Sequence, residues 1–471
     1  MNMTVVILAA GLGTRMRSKR AKVLHRAGGL ALVEHVVHAA RAVAAPERIV
    51  VVTGHQADDV EALLAPSGVR FARQIEQKGT GHALMCAIGR LDKLEKLDAK
   101  SSGLVMVLYG DTPLLGRATL KQLRDMQASS DAAATLITTT LEDPAGYGRV
   151  ILNPQGDVQS IVEQKVARPE QLLVRLINSG IYCFRAALLS KHIAEIQPNN
   201  VSREMYLTDM AEILVRHGHR VQHMHVEDAS ELMGINTRLE LADADRVLRA
   251  RKTRELMLAG VTIERPETVV IDAQVRVGED TVIESFARLT GSTVVGEDCH
   301  IGQGAILESS ALAKRVTVAP YTLIADSRID PGAHVGPFAR LRMDAQVGPE
   351  ARIGNFVEVK KSRIGAGAKS QHLAYLGDAE IGERVNVGAG TITCNYDGEK
   401  KHGTKIGAGA FIGSNSTLVA PVEIGEDSYV AAGSVVTEAV PAKALALGRQ
   451  RQINKPGWVT NRKKKKAAKK S

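Results

Sequence analysis

Through the C-terminal half of the chain an aliphatic residue followed by glycine returns in steps of six, a pattern that few folds can use. Val295-Gly296 and Ile301-Gly302 are six apart, as are Val347-Gly348 and Ile353-Gly354, Ile381-Gly382 and Val387-Gly388, and Ile406-Gly407 and Ile412-Gly413; Ile424-Gly425 follows twelve later. This period predicts a parallel β-helix, in which each aliphatic side chain points inward and stacks on its copies above and below. The small residue beside it lets the backbone bend onto the next face. Three hexads make one triangular coil of roughly eighteen residues. Residues 265–440 hold almost none of the helical patterning that a doubly wound sheet would need between its strands. Aromatic residues are only 3% of the chain, so the coil interior should be aliphatic.

The repeat is interrupted where chemistry can sit. Nineteen residues separate Val387 from Ile406, one more than three hexads allow, and the polar stretch TITCNYDGEKKHGT (Thr391 to Thr404) lies between them. A loop should be pushed out there, and loops on a rigid frame are where binding concentrates. EVKKSR (Glu358 to Arg363) and QHLAYLGDAEIG (Gln371 to Gly382) also break the register and supply paired lysines, a histidine and a tyrosine.

The N-terminal half reads differently. VVILAAGLGTRM (Val5 to Met16) is an apolar strand entering a glycine loop, and alternating helix and strand patterns run from it to LVMVLYGD, which ends at Asp111. That order predicts a mostly parallel sheet covered by helices, with ligands at the carboxyl ends of its strands. Three polar clusters fall at such ends: Ala9 to Arg15, Gln74 to His82, and Tyr109-Gly110-Asp111. The glycine loop lacks the third glycine of a dinucleotide fingerprint and the GK[ST] of a Walker loop. With Arg15 and Lys22 it can cradle a triphosphate, and Asp111 suits a magnesium ligand, although a lone strand-end carboxylate is more often a cap or turn residue. Asn236 precedes a charged helical stretch stopped by Gly260 and on its own reads as an N-cap. His223 and His225 share one face of a strand, but no third metal ligand stands at suitable spacing; a surface or packing role is expected across His217 to His225.

At 471 residues the chain is long enough for about three domains. The four cysteines show no CxxC spacing and read as free thiols of a reducing cytosol. Neither a signal peptide nor a membrane-spanning stretch is evident, so a cytoplasmic enzyme without a membrane partner is expected. Net charge is +10, of which seven charges belong to NRKKKKAAKKS (Asn461 to Ser471). A basic tail without aromatics reads as a solvated end, and no nucleic-acid partner is expected.

LAAGLGTRM with Lys22, QKGTGHA (Gln77 to Ala83), YGDTPL, GYGRV, IVEQK and NSGIY resemble the sugar-nucleotide pyrophosphorylase family. Joined to KKSR, HLAYLGDAEIG and NVGAGTITCNYDG, they are similar to the bacterial family of bifunctional N-acetylglucosamine-1-phosphate uridyltransferases and glucosamine-1-phosphate acetyltransferases. The resemblance covers about residues 4–458. It implies an α/β Rossmann-like nucleotidyltransferase domain over 1–236, a linker helix over 237–259, a left-handed parallel β-helix over 260–449, and a C-terminal segment with the basic tail over 450–471. It implies a UDP-N-acetylglucosamine site from Leu8, Ala9, Ala10, Gly11, Arg15, Lys22, Gln74, Gly79, Thr80, Tyr109, Gly110, Asp111, Gly148, Glu163, Asn178 and Asn236, with Asp111 and Asn236 on Mg2+. Glu163 would then hold a sugar hydroxyl rather than act as a base. For acetyl transfer the resemblance implies His372 as general base and Arg342, Lys360, Tyr375 and Asn386 on glucosamine-1-phosphate. Ala389, Asn395, Tyr396, Ser414, Ala432 and Arg449 would meet acetyl-CoA, Asn395 and Tyr396 also bordering the sugar phosphate. Lys361 stays unassigned. The chemistry of Cys394 permits an acyl-carrier route, but the resemblance implies direct transfer. It also implies a homotrimer whose co-substrates are UTP and acetyl-CoA.

One departure stands out, because the family usually has proline before the motif lysine and this chain has Ala21. Alanine leaves that loop freer than proline would. Two other readings share parts of the pattern: a single-activity sugar-1-phosphate nucleotidyltransferase with a regulatory β-helix, and a regulatory subunit without catalysis. His372, Tyr375 and the CNYDG loop speak against the first, and the intact GTRM, Lys22 and Asp111 against the second.

Overall fold

The computed structural model describes residues 2–95, 103–198 and 203–469, so Lys470 and Ser471 of the basic tail lie outside the described residues. It divides into two units, Met1–Arg251 and Lys252–Ser471.

The main sheet of the first unit has nine strands among the described residues: β1 (Met3–Ala9), β2 (Ile49–Thr53), β3 (Arg70–Arg73), β4 (Leu104–Tyr109), β5 (Ala134–Thr140), β6 (Arg149–Leu152), β7 (Val158–Val162), β8 (Leu176–Arg185) and β9 (Val221–His225). Their order is β9-β5-β8-β4-β1-β2-β3, with β6 beside β8 and β7 beside β6. β1 is buried along its whole length, as its continuous apolar run demands of a strand covered on both faces. It lies parallel to β2 and β4, and β2 lies parallel to β3. The expected parallel arrangement is broken at β8, which runs antiparallel to β4, β5 and β6. A parallel return needs a crossover of a dozen or more residues, usually a helix. Between β5 and β8 the chain has the β6–β7 hairpin, one 3-10 turn (Gln164–Val166) and a four-residue α-helix (Pro169–Leu172).

The second unit has three parallel sheets of eleven, ten and nine short strands, each strand pairing with its counterpart in the next coil. Val282 pairs with His300, His300 with Thr317 and Thr317 with His334, a step of seventeen or eighteen residues per coil. The interior is one continuous cluster of aliphatic residues with Cys299. The aromatics are turned outward instead. Tyr321, Phe338 and Phe356 occupy left-handed corners at φ 57°, 54° and 55°, and their rings stack with centroids 5.5 and 5.3 Å apart.

The inserted loop is larger than the nineteen-residue count suggested. Val387 pairs with Ile412, and Ile381 with Ile406, so each of these steps is twenty-five residues. Val387 and Ile406 stand on different sheets, and the interval between them was never one full coil.

The helix Arg238–Leu258 carries the division between the units within it. Ala244 joins a cluster with Ala27, Leu32, Leu114 and Ile235, and Leu256 belongs to the core of the second unit.

A Cβ added at Gly354 would collide with the carbonyl oxygen of Gln371 on the adjoining coil. That obstacle is backbone and cannot swing aside. We therefore expect Gly354→Ala to destabilise the second unit by about 1–3 kcal/mol, the usual cost of overpacking. Chemical denaturation followed by circular dichroism checks this, and an unchanged midpoint would show that the coils separate without penalty.

Candidate active sites

In the first unit the polar residues gather at the carboxyl ends of β1 and β4. Lys22, at the start of a single 3-10 turn (Lys22–Leu24), sends its ammonium to Asp111 Oδ2 and, at 3.0 Å, to Asn236 Oδ1. A cation thus already sits between two hard oxygens, and such a donor set fits a divalent oxygen-seeking ion such as magnesium. Asn236 Nδ2 donates to the Gly234 carbonyl at 3.0 Å, which holds Oδ1 toward Asp111.

The capping role that Asn236 could have had falls to its neighbour. Glu240 Oε2 accepts from the N–H groups of Asn236 and Thr237 at 2.6 and 2.8 Å, and Thr237 Oγ1 accepts from the Glu240 N–H at 3.2 Å. That reciprocal pair is a capping box, legible in the sequence as TRLE.

The remaining expected residues take up positions around this pair. Gln74 donates to the Gly79 carbonyl at 3.0 Å, and Gln77, which the sequence reading did not select, donates to the Ala10 carbonyl at 2.9 Å. Thr80 Oγ1 accepts from the Leu207 N–H at 3.0 Å. Gly79 has φ 100° and lies so close to the Met205 backbone that no Cβ would fit. Tyr109 is half-buried, its ring against Gly180, and burial pushes its hydroxyl well up from its ordinary value. The Asn178 N–H reaches the Gly148 carbonyl at 2.9 Å, and the Asn178 side chain bonds Tyr182 and the Gly180 N–H. Leu8, Ala9 and Ala10 are buried at the end of β1, Gly110 is buried beyond β4, and Gly11 and Arg15 are exposed.

Burial raises Glu163 above the ordinary carboxylate range, and Thr208 donates to it at 3.3 Å. Beside them Asp209, the first residue of the helix Asp209–Arg216, is pushed up to about 6 by burial and then by Glu212 and Glu163. Thr208 and Asp209 were missed in the sequence, where nothing marks them as neighbours of a residue forty-five positions earlier.

In the second unit His372 ends the strand Lys369–His372, and its register partner is Asn355 on the preceding coil. His372 Nδ1 lies 2.7 Å from Asn355 Oδ1. An amide oxygen there requires a proton on Nδ1, which leaves Nε2 with a free lone pair. Arg342 and Lys360 are paired across adjacent coils, and Arg342 Nε donates to Glu358 at 2.6 Å. Lys401, from the inserted loop, lies against Lys360 and pushes that ammonium below its ordinary value. Three cations therefore converge, and Lys401 was not expected from the sequence. Asn395 bridges Asp378 at 2.5 Å and Tyr375 at 3.5 Å, while Lys361 reaches Asp378 at 3.8 Å. Asn386 stands in the coil after Lys369, its register partner. Tyr396 is 60% exposed in the loop, which His402 stiffens through Asp397 at 2.7 Å.

Ala389, Ser414 and Ala432 fall on one corner of three successive coils, tied by Asn415 N–H to the Ala389 carbonyl at 2.7 Å and Gly433 N–H to the Ser414 carbonyl at 2.8 Å. Arg449 runs alongside Gly433. A surface hollow of about 530 Å³ lies elsewhere, over Glu380, Lys405 and Glu423 of the nine-stranded sheet.

The histidine-rich stretch contributes to a separate cluster. His192 Nδ1 lies 2.7 Å from Glu195 Oε1, and His217 Nε2 lies 3.0 Å from Glu195 Oε2. This could pass for a metal site. Arg216 also approaches Oε2, at 3.4 Å, and opposes a bound cation. A metal on His192 Nδ1 would further force a proton onto Nε2, which is buried without an acceptor. The cluster is better described as a carboxylate between imidazoles, whose hydrogen bonds hold Glu195 down to about 2.

Residues 5–177 match the model of the MobA-like NTP transferase domain, and residues 403–438 match that of the bacterial transferase hexapeptide (six repeats). The protein named Bifunctional protein GlmU from Solibacter usitatus is 54% identical over 98% of each chain. Proteins of the same name from Koribacter versatilis and Trichlorobacter lovleyi are 46% and 45% identical, over 99% and 96% of this chain and 98% and 97% of their own.

The raised Asp209 gives a pH prediction. In the folded protein Asp209 keeps its proton up to about pH 6, whereas the unfolded chain releases it near the ordinary aspartate value of 3.8. Folding stability therefore falls as pH rises through that window and is level above it. Asp209→Asn should raise the melting temperature at pH 7.5 and leave it unchanged at pH 4. Equal effects at both pH values would remove the carboxyl's titration as the cause.

Proposed function

Because the chain belongs to the bifunctional GlmU family, we infer that it makes UDP-N-acetylglucosamine in two steps, one at each of the sites above. Glucosamine-1-phosphate is first acetylated from acetyl-CoA on the left-handed β-helix, and the product then takes uridylyl from UTP in the α/β unit. The observation that carries two activities rather than one is His372, oriented by Asn355, on a stack of coils that also brings together Arg342, Lys360 and Lys401. A β-helix used only for assembly or regulation has no need of that set.

In acetyl transfer the amine must lose a proton before it can attack. His372 Nε2 is the acceptor, imidazole being the side chain most often used as a general base. The freed lone pair attacks the thioester carbonyl, the C–N bond forms, the C–S bond breaks and CoA leaves as its thiol. Arg342, Lys360 and Lys401 hold the sugar phosphate by charge-assisted hydrogen bonds. Tyr375, Asn386, Asn395 and Tyr396 fix the sugar and the acetyl end, and the ledge of Ala389, Ser414, Ala432 and Arg449 carries CoA. Direct transfer leaves Cys394 without a covalent role.

In uridylyl transfer a phosphate oxygen of N-acetylglucosamine-1-phosphate attacks the α-phosphorus of UTP, and pyrophosphate departs from the opposite side. The protein aligns the reactants and neutralises charge. Lys22 and Arg15 reach phosphate oxygens, and the N–H groups from Leu8 to Gly11 border them. Gln74, Gly79 and Thr80 read the uracil. Gly148, Glu163 and Asn178 hold the sugar, with Tyr109 and Gly110 as the floor. Asp111 and Asn236 would hold magnesium, which supplies positive charge to phosphate oxygens when bound.

We further propose a cytoplasmic homotrimer, its β-helices packed side by side. Among the described residues no helix is long and apolar enough to cross a membrane. Light scattering on the purified chain tests the trimer.

His372→Ala should lower acetyl transfer by about 10²–10⁴-fold and leave uridylyl transfer untouched. The loss should shrink as pH rises, since more of the amine is then already neutral. Asp111→Ala should do the reverse. Equal losses in both reactions for either variant would point to misfolding, and normal acetyl transfer by the His372 variant below neutral pH would refute the assignment.

Asn355→Ala should show a smaller acetyl-transfer loss than His372→Ala, on the order of ten-fold, because the base remains but its tautomer is no longer fixed. Its pH–rate profile should move with it. An unchanged rate and profile would mean that Asn355 does not orient the ring.

A further inference from the structure

Ala21 adopts φ −54° and ψ 139°, a backbone that a proline ring could impose, yet no ring is there to impose it. Its N–H, which proline would lack, is buried with the residue and donates to Gln56 Oε1 at 2.6 Å. The other end of the same carboxamide donates from Nε2 to the Lys19 carbonyl at 2.9 Å. One side chain thus closes the loop on both sides of Arg20, thirty-five residues away in sequence from the amide it binds. Gln56 itself stands in the left-handed region at φ 52°, as the N-cap of the helix Ala57–Leu64. Its side chain makes no capping bond there, because it is turned to the loop. A non-glycine residue in that region is strained, and such strain persists where the surroundings enforce it.

Lys22 follows directly, and its stem is pressed against Gly13 of the glycine loop. Without Gln56 the Ala21 N–H would be buried unpaired, a penalty that the loop could relieve only by moving and carrying Lys22 with it. We propose that Gln56 is a positioning residue for Lys22, its carboxamide imposing through two hydrogen bonds the loop conformation that a proline at position 21 would impose covalently. This deepens the uridylyl-transfer reading and rests on Lys22 neutralising phosphate charge in that reaction.

The two devices exclude each other. The ring Cδ of a proline at position 21 would take the place of the amide hydrogen and meet Gln56 Oε1. Gln56→Ala should therefore lower kcat/KM for uridylyl transfer on the order of ten-fold, chiefly in kcat. Ala21→Pro alone should also be impaired, and the double variant should recover to within about three-fold of the parent.

Acetyl transfer by the full-length protein should stay within two-fold throughout, which a folding defect would not allow. Gln56→Glu keeps an acceptor for the Ala21 N–H but loses the donor to Lys19, and should fall between parent and Gln56→Ala. Pyrophosphate release from UTP and N-acetylglucosamine-1-phosphate reads all of these, with Lys22→Ala alongside. A large loss in Lys22→Ala with none in Gln56→Ala, or losses that multiply in the double variant, would overturn the clamp. No loss in Lys22→Ala would instead overturn the role given to the lysine, and the clamp with it.

Discussion

Each interior strand of the second unit is satisfied by the coil before it and the coil after it, through backbone hydrogen bonds repeated, away from the inserted loop, at a step of mostly seventeen or eighteen residues. Three sheets are thereby locked to one register. The interior cluster, the outward corner aromatics and the placement of His372 all inherit it. His372 meets Asn355 because those two residues are register partners, and Arg342 meets Lys360 for the same reason. The site is a by-product of coil counting, in which residues seventeen or eighteen apart become neighbours.

The first unit reaches its site by the opposite route. Lys22, Asp111 and Asn236 are brought together by a turn after β1, the end of β4 and the residue before a capping box. No periodicity relates them. Parallel strands simply end on one side of a sheet, and the loops that leave them must share that side.

This difference explains what could be read from the chain alone. The β-helix, its inward residues and its interrupted coils follow from local spacing. Even there the insertion was undercounted, because Val387 and Ile406 look equivalent in sequence and sit on different sheets. The antiparallel β8 was foreseeable only from the lack of a crossover helix before it. Lys401, Thr208, Asp209 and Asn355 escaped notice because a single lysine, threonine, aspartate or asparagine carries no signal until a distant partner is known. Asn236 shows the converse. Its capping alternative could have been dismissed from TRLE, since Thr237 and Glu240 already form the cap.

The inserted loop lengthens one coil to twenty-five residues, and by chain statistics that is a small change. Closing twenty-five residues rather than seventeen costs only about 0.3 kcal/mol more, less than a single good hydrogen bond. The loop meets that cost with its own internal bonds, such as the one from His402 to Asp397. Coils on either side keep their pairing whether or not the extra residues are present. A solenoid of this kind can therefore vary in length at a corner without being re-engineered elsewhere. Substrate-facing parts become nearly independent modules, open to selection on chemistry while the frame is held fixed.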